Sequence, residues 1–179
     1  MIGVMTDARA QPGEAAAVTF DEVYRVHADA VFRFCVSQLR DLAVAEDVTA
    51  DVFASAFAAY ERVRPEPRGL RTWLFRIARN AVIDQYRREG HRRSLLARLT
   101  HASPARGVEE EAEQRSELEA VQAAIATLRR RDRQLVGLRV AAGLSFADIG
   151  AVLGMREAAA RVATHRALAR VRARLEETR

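Results

Sequence analysis

The chain has little that would support metal or disulfide chemistry. Its single cysteine, Cys35, excludes an intrachain disulfide and a thiolate metal cluster. Its neighbours Val31, Phe32 and Phe34 favour a buried thiol over a redox role. The four histidines are scattered and lack the short spacing of a zinc site. We therefore expect no metal and no cofactor.

Long apolar runs are also missing. No run is long enough to span a bilayer. Residues 1–17 contain Asp7, Pro12 and Glu14 but no apolar segment of secretory length. These absences predict a cytoplasmic protein without membrane insertion, with a disordered tail over residues 1–17.

Lysine is absent, and all 29 basic residues are arginine. The formal net charge is +5 and the pI is near 10.5, which indicates an anionic partner, nucleic acid before membrane. Genomic base bias also explains arginine-only usage, but the guanidinium group still provides the planar fork that grips phosphates and guanine edges. With 179 residues and 49% hydrophobic content, the chain can bury one core or two small ones.

Apolar residues at helical spacing predict two helices at the start of the chain. Thr19 and Glu22 form a capping box for the first helix, which we expect to end near Arg40. The second helix is expected over residues 42–63. Their expected buried faces consist of Phe20, Val23, Tyr24, Val31 and Phe34, and of Val48, Val52, Phe53, Ala56, Phe57 and Tyr60.

A basic loop and a third helix follow. Two prolines and a glycine break the pattern at Arg64–Gly69. The helix from Leu70 onward has a core-facing stripe of Leu70, Leu74, Ile77, Ala78 and Ala81. An interleaved stripe holds Trp73, Arg76, Asn80, Asp84 and Arg87. An aromatic plane with cations and hydrogen-bonding groups suits unpaired nucleic acid; the alternative is a solvated face with a half-buried Trp.

The pattern fades from Glu89 to about Val108, and an acidic run follows. We interpret this segment as an interdomain linker. A second helical unit begins in the acidic stretch, with a further helix over about 131–142. The fold class is therefore all-α, with two small helical domains joined by a flexible linker. The expected segments are a tail at 1–17, domains at 18–90 and 113–179, and the linker at 91–112.

The second domain carries a helix-turn-helix pattern. A short helix after Ser145 is followed by a tight turn at Gly154 and a longer helix over about 157–176. The longer helix should present Arg161, Val162, His165 and Arg166 away from the core. From Arg129 onward the chain contains twelve arginines and only five acidic residues. This excess of positive charge favours DNA binding over an ordinary helical hairpin with a solvated basic face.

Three segments in this order resemble bacterial RNA polymerase sigma factors of the extracytoplasmic-function type. They are residues 45–53, 72–80 and 143–155. The resemblance implies a subunit that binds core RNA polymerase, recognises promoter DNA and promotes its opening, without being an enzyme. It also implies an anti-sigma factor as a partner, and a linker threaded through the polymerase cleft. The acidic residues of this linker suit mimicry of nucleic acid there, although a plain flexible tether explains the composition equally well.

Site residues are implied by the same resemblance. The second helix would bind polymerase through Asp47, Asp51 and Phe53. The minus-ten element would contact Arg64, Arg68, Trp73, Arg76, Asn80, Asp84, Arg87 and Arg88. The minus-thirty-five element would contact Arg161, Val162, His165 and Arg166.

The chain departs from the family pattern at Ala50, where glutamine is frequent, and at Val162 and Ala163, where serine and arginine are frequent. Two other classes of function compete with the sigma-factor interpretation. A stand-alone helix-turn-helix regulator would leave the stripe from Trp73 to Arg88 unexplained. A small helical enzyme would need a phosphate-binding glycine loop, a metal cluster or a Ser/His/Asp order, and the sequence contains none of these.

Overall fold

The computed structural model describes residues 18–39, 41–100 and 117–177, with side chains described at 18–39, 41–94 and 120–177. This part of the chain contains α-helices, one π-helical segment and no strands. The helices are α1 (Phe20–Leu39), α2 (Leu42–Val63), α3 (Pro67–Thr100), α4 (Glu117–Thr127), α5 (Arg130–Val136), α6 (Phe146–Leu153) and α7 (Glu157–Glu177). The expected tail at 1–17 and the end of the expected linker, residues 101–112, lie outside the described residues.

Helices α1, α2 and α3 pack together, and we call them the front module. The predicted capping box begins α1: the Thr19 amide donates to Glu22 Oε2 at 2.9 Å, and the Glu22 amide donates to Thr19 Oγ1 at 3.3 Å. Phe34 and Phe75 meet edge to face in the core, with ring centroids 5.8 Å apart. Of the predicted inner stripe of α3, Leu70, Leu74 and Ala78 are buried, and Ile77 and Ala81 are half-buried against the same core.

The buried faces of α1 and α2 are narrower than predicted. Tyr24 is 53% exposed and Phe57 is 65% exposed, so the expectation that both are buried was wrong. Their spacing places them at the edge of the apolar faces of α1 and α2, where neighbouring helices leave them uncovered. Phe57 lies against Phe20, with ring centroids 5.2 Å apart, and Tyr24 lies against the buried Phe53.

Helix α3 is longer than the sequence pattern predicted. It begins at Pro67 rather than at Leu70, because proline suits the first turn of a helix, where its missing N–H has no intrahelical partner. The loop is therefore only Arg64–Glu66, and Arg64 adopts a left-handed φ of 41° that ends α2. At its other end α3 continues to Thr100, ten residues into the segment expected to be linker.

Helices α4 to α7 and the π-helical segment form the rear module. Ser145 caps α6, with the Asp148 amide donating to Ser145 Oγ at 3.1 Å. Gly154, at a φ of +67°, makes the predicted tight turn. A Cβ atom at Gly150 would lie 2.6 Å from the Met155 carbonyl oxygen, so a glycine is required where α6 meets this turn. The helix-turn-helix is confirmed.

The two modules pack against each other. One apolar cluster contains Phe34 and Leu74 of the front module together with Leu135, Leu138 and Ile149 of the rear module. Each of these five residues is at most 1% exposed. The π-helical segment Gly137–Ala141 follows α5 directly and packs against α1. The front and rear modules therefore share one hydrophobic core in this structure.

Gly137 permits the close approach of the π-helical segment to α1. A Cβ atom there would lie 2.5 Å from Gln38 Nε2 and 2.6 Å from Ser37 Oγ. Gln38 Nε2 also donates to the Arg133 carbonyl oxygen at 3.2 Å. Glycine thus brings the two backbones close enough for polar contacts between the modules.

Cys35 offers a check on this core. It is buried, and burial raises the pKa of its thiol to about 11. Because the thiolate is the reactive form, we expect Cys35 in the folded chain to react with a disulfide reagent at pH 8 roughly a hundredfold more slowly than in the unfolded chain. Labelling with and without denaturant measures this ratio. Equal rates would contradict the buried placement.

Candidate nucleic-acid interface

The interleaved residues of α3 lie on a largely solvent-facing surface, which we call the α3 stripe. It consists of Trp73, Arg76, Asn80, Asp84 and Arg87. Trp73 is half-buried, with its ring centroid 6.2 Å from that of Tyr60. The other four are exposed. Arg87 and Asp84 form an exposed ion pair at 3.1 Å, which is weak enough in water for either group to exchange it for a ligand.

The basic residues beside the start of α3 are also exposed. Arg64 pairs with Glu61 at 3.5 Å, and its amide donates to the Tyr60 carbonyl oxygen at 2.8 Å. Arg68 lies in the first turn of α3. Both residues flank the start of α3, and their exposed guanidinium groups are available to contact a phosphate backbone.

A groove of about 390 Å³ separates the start of α2 from α3, and we call it the α2 groove. Asp47, Asp51 and Ala50 line it on one side, and Arg88 lines it on the other. Arg88 Nη2 lies 3.6 Å from Asp51 Oδ2, with both side chains 60% exposed. Arg88, predicted to contact DNA, thus neutralises one of the two carboxylates predicted to bind polymerase.

Phe53 is not part of that groove. It is only 5% exposed and packs edge to face with Tyr24 at 4.8 Å. Its side chain therefore supports the front-module core and offers little surface to a partner, unlike the carboxylates of Asp47 and Asp51. The neighbouring aromatic that does face solvent is Phe57.

Helix α7 presents the predicted outward set on one surface, the recognition face. Arg161, Val162, His165 and Arg166 are all exposed. Arg161 Nη2 is 2.7 Å from Glu157 Oε1 in the first turn of α7. Val162 is 49% exposed and places an apolar side chain on this face. The opposite face of α7 is buried at Ala160, Thr164, Ala167 and Val171.

Phe146, the first residue of α6, was not among the predicted site residues. Its ring centroid lies 4.9 Å from the Arg161 guanidinium carbon and 4.7 Å from that of Arg139. The His165 ring centroid is 5.7 Å away. The sequence did offer one signal for Phe146, because an aromatic residue directly follows the capping Ser145 of the first helix in the helix-turn-helix.

Arg76 lies where the modules meet. Its Nη2 and Nε atoms donate to the Ala151 carbonyl oxygen at 2.8 and 3.1 Å, so this predicted DNA contact is occupied by α6 in the structure. Thr72, one turn earlier, donates to Asp148 Oδ1 at 2.9 Å. Partial burial raises the pKa of Asp148, but hydrogen bonds from Ser145 and Thr72 outweigh it and lower the pKa overall. The ionised Asp148 carboxylate therefore stabilises the contact between α3 and α6 above about pH 4. This stabilisation is lost as the pH falls through the lowered pKa that Asp148 has in the folded chain.

No helix in the described ranges is long and apolar enough to cross a membrane. Within the same ranges, no three histidine, cysteine or acidic side chains cluster as metal ligands.

Comparison with known proteins identifies both modules. The model of Sigma-70 region 2 matches residues 23–92, and that of Sigma-70 region 4 matches residues 118–171. The chain is 34% identical to the ECF RNA polymerase sigma factor ShbA of Streptomyces griseus, over 94% of this chain and 93% of that protein. It is 31% identical to the RNA polymerase sigma factor CarQ of Myxococcus xanthus, over 92% and 93% of the two chains.

Solved structures agree with this fold. The sigma factor RpoE of Bartonella quintana, crystallised with the anti-sigma factor NepR, superposes with a TM-score of 0.71 at 23% identity, over 89% of this chain and 98% of that chain. CnrH, solved with the cytosolic domain of CnrY, superposes with a TM-score of 0.64 at 25% identity, over 88% of each chain. The chain belongs to the extracytoplasmic-function family of RNA polymerase sigma factors, whose members bind RNA polymerase, recognise promoters and start transcription.

Proposed function

We propose that the two modules divide the work of promoter recognition. The front module binds polymerase and the unpaired minus-ten element, and the rear module reads the minus-thirty-five element as duplex. The segment between α3 and α4 connects them. The observation that carries this proposal is the exposed α3 stripe, because aromatic, cationic and amide groups lie together on a helix whose other face is buried.

The α3 stripe suits a single strand for physical reasons. Bases stack on aromatic side chains only when they are unpaired, and amide groups then reach their base-pairing edges. A ligand shifts an equilibrium by its differential affinity for the two states. Contacts from Trp73 and Asn80 that exist only with separated strands therefore favour the open promoter, and no nucleotide hydrolysis is needed.

The α2 groove is the proposed docking surface for core polymerase. Asp47 and Asp51 are exposed and give it an acidic edge, which complements a basic partner surface and speeds association. Ala50 removes one polar contact that relatives frequently have, so the carboxylates carry more of the recognition. Arg88 would exchange its 3.6 Å contact with Asp51 for DNA phosphate when polymerase takes the carboxylate.

The arrangement in this structure cannot serve both promoter elements at once. Elements centred about 25 base pairs apart are separated by roughly 85 Å along duplex DNA. The modules touch here, with Arg76 bonded to the Ala151 carbonyl oxygen. Two touching modules of this size span much less than that distance. We therefore propose that the modules separate when polymerase binds, which also releases Arg76 for DNA.

Three buried polar atoms at the contact favour separation, although the shared apolar core opposes it. Gln38 Oε1, Arg71 Nε and Arg133 Nε are buried there without a hydrogen-bond partner among the described residues. Water reaches such atoms once the modules part, and this lowers the free energy of the separated state.

An anti-sigma factor is a proposed further partner. The similarly folded sigma factor of Bartonella quintana was solved with its anti-sigma factor NepR. A protein that held the modules together would cover the same surfaces that polymerase and DNA need. We place the protein in the cytoplasm, where bacterial polymerase and promoters are found, as a regulatory subunit and not an enzyme.

Transcription reconstituted from purified components tests the proposal. Added to core polymerase and a broad promoter library, the chain should yield transcripts from a subset of promoters that share two elements. Core polymerase alone is the control. Failure to obtain specific transcripts, or specific operator binding that needs no polymerase, would contradict the proposed division of work.

A further inference from the structure

Phe146 contacts both the core and charged side chains. It is half-buried against the core cluster, to which Ile149 and Val152 on the same helix contribute buried side chains. Its ring also lies against exposed cationic side chains from two other elements. The guanidinium carbons of Arg161 and Arg139 lie 4.9 and 4.7 Å from its centroid.

These contacts restrict the side chains of the recognition face. An arginine side chain loses much conformational entropy when DNA fixes it in one rotamer. A stacking partner that already holds the side chain before DNA binds lowers this entropic cost. Arg161 also pairs with Glu157, at 2.7 Å in an exposed ion pair that salt screens. A ring contact in the half-buried turn is screened less and leaves the guanidinium N–H donors free for a base edge.

His165 extends the same arrangement by one helical turn. Its ring is 5.7 Å from that of Phe146, with an interplanar angle of 42°. Arg161 and His165 are four residues apart, so one ring between α6 and α7 holds both side chains on the same surface. Arg139 is fixed independently, since its Nη1 donates to the Leu144 carbonyl oxygen at 2.8 Å.

We infer that Phe146 is a positioning and specificity-determining residue for duplex recognition. It holds Arg161 and His165 in the conformations that base readout requires, and Arg139 adds positive charge beside them. The inference rests on the proposed role of α7 in reading the minus-thirty-five element. Because Val162 offers no hydrogen bond at its position, readout depends more strongly on how well Arg161 is placed.

Base preference measured with the holoenzyme tests this role. Transcription is measured from promoters randomised across the minus-thirty-five element, and Arg161→Ala identifies the positions that Arg161 reads. Phe146→Leu, which keeps an apolar side chain without a ring, should reduce the preference at those positions about three- to tenfold. Phe146→Tyr should retain it. Tyr24→Leu, which removes an exposed aromatic from the front module, is the control.

A double-mutant cycle separates positioning from packing. If Phe146 acts through Arg161, Phe146→Leu should cost little further preference in an Arg161→Ala background. An equal loss in both backgrounds, or lower transcription from all sequences with preferences unchanged, would overturn the inference. Should Phe146→Leu lower the melting temperature strongly, Phe146→Met repeats the cycle with a side chain that fills the gap.

The outcomes also distinguish this inference from the proposed function. If Arg161→Ala leaves all base preferences unchanged, the role of α7 in base readout fails. If Arg161→Ala removes a preference that Phe146→Leu retains, only the role of Phe146 fails.

Discussion

Cross-linking the two modules in the contact seen here should abolish promoter-specific initiation, and cleaving the cross-link should restore it. Thr72 on α3 and Ala151 on α6 both lie at the contact between these helices. Thr72 donates to Asp148 of α6, and the Ala151 carbonyl oxygen accepts from Arg76 of α3. The variant Thr72→Cys/Ala151→Cys, joined by a short cleavable bismaleimide, keeps the modules together. Because they then cannot span both elements, we expect initiation to fall at least roughly tenfold.

Controls for this cross-link are available within the chain. Cys35 is buried with a pKa of about 11, so it should not compete for the reagent. The pair Ala147→Cys/Ala151→Cys, both exposed on α6, receives the same cross-link without joining the modules and should keep its activity. Full initiation by the intermodule cross-linked chain would show that separation is not needed.

Removing the Trp73 ring or the Asn80 amide should slow promoter opening much more than it weakens initial binding to duplex. Stacking on an unpaired base contributes about 1–3 kcal/mol, so Trp73→Ala should lower the open-complex equilibrium roughly ten- to a hundredfold. Stopped-flow measurement of open-complex formation by the holoenzyme reports this change. A template already melted across the minus-ten element should recover most of the loss.

Comparison of the two variants separates DNA contact from stability. Trp73 also packs beside Tyr60, so its loss affects the front-module core, and Trp73→Phe serves as the conservative variant. Asn80 is exposed, and Asn80→Ala should leave the melting temperature of the chain unchanged. Equal losses on melted and duplex templates would argue against a role in opening.

Local chemistry made much of this fold predictable. The capping box at Thr19, the cap at Ser145 and the turn at Gly154 each depend on neighbouring residues, and the structure confirms all three. The inner stripe of α3 was equally clear because its helical spacing is regular. Helical spacing also predicted the α3 stripe and the outward residues of α7, and the family resemblance assigned them to the two promoter elements. Apart from half-buried Trp73 they are exposed, and their roles remain predictions.

Contacts between distant residues were not predictable from the same information. Thr72 and Asp148 are 76 positions apart, and no periodicity relates them. Gly137 gave no signal either, because its requirement arises only where α1 passes close to the rear module. The exposure of Tyr24 and Phe57 has a similar cause: spacing defines a helix face, but the number of neighbouring helices determines how much of it is covered.

Permanganate footprinting of the holoenzyme on a selected promoter tests the central claim most directly, because permanganate oxidises unpaired thymines. We predict reactive thymines across the minus-ten element with the natural chain, and a strong reduction with Asn80→Ala. A complex that protects the upstream element but leaves the minus-ten thymines paired would contradict the account of the α3 stripe.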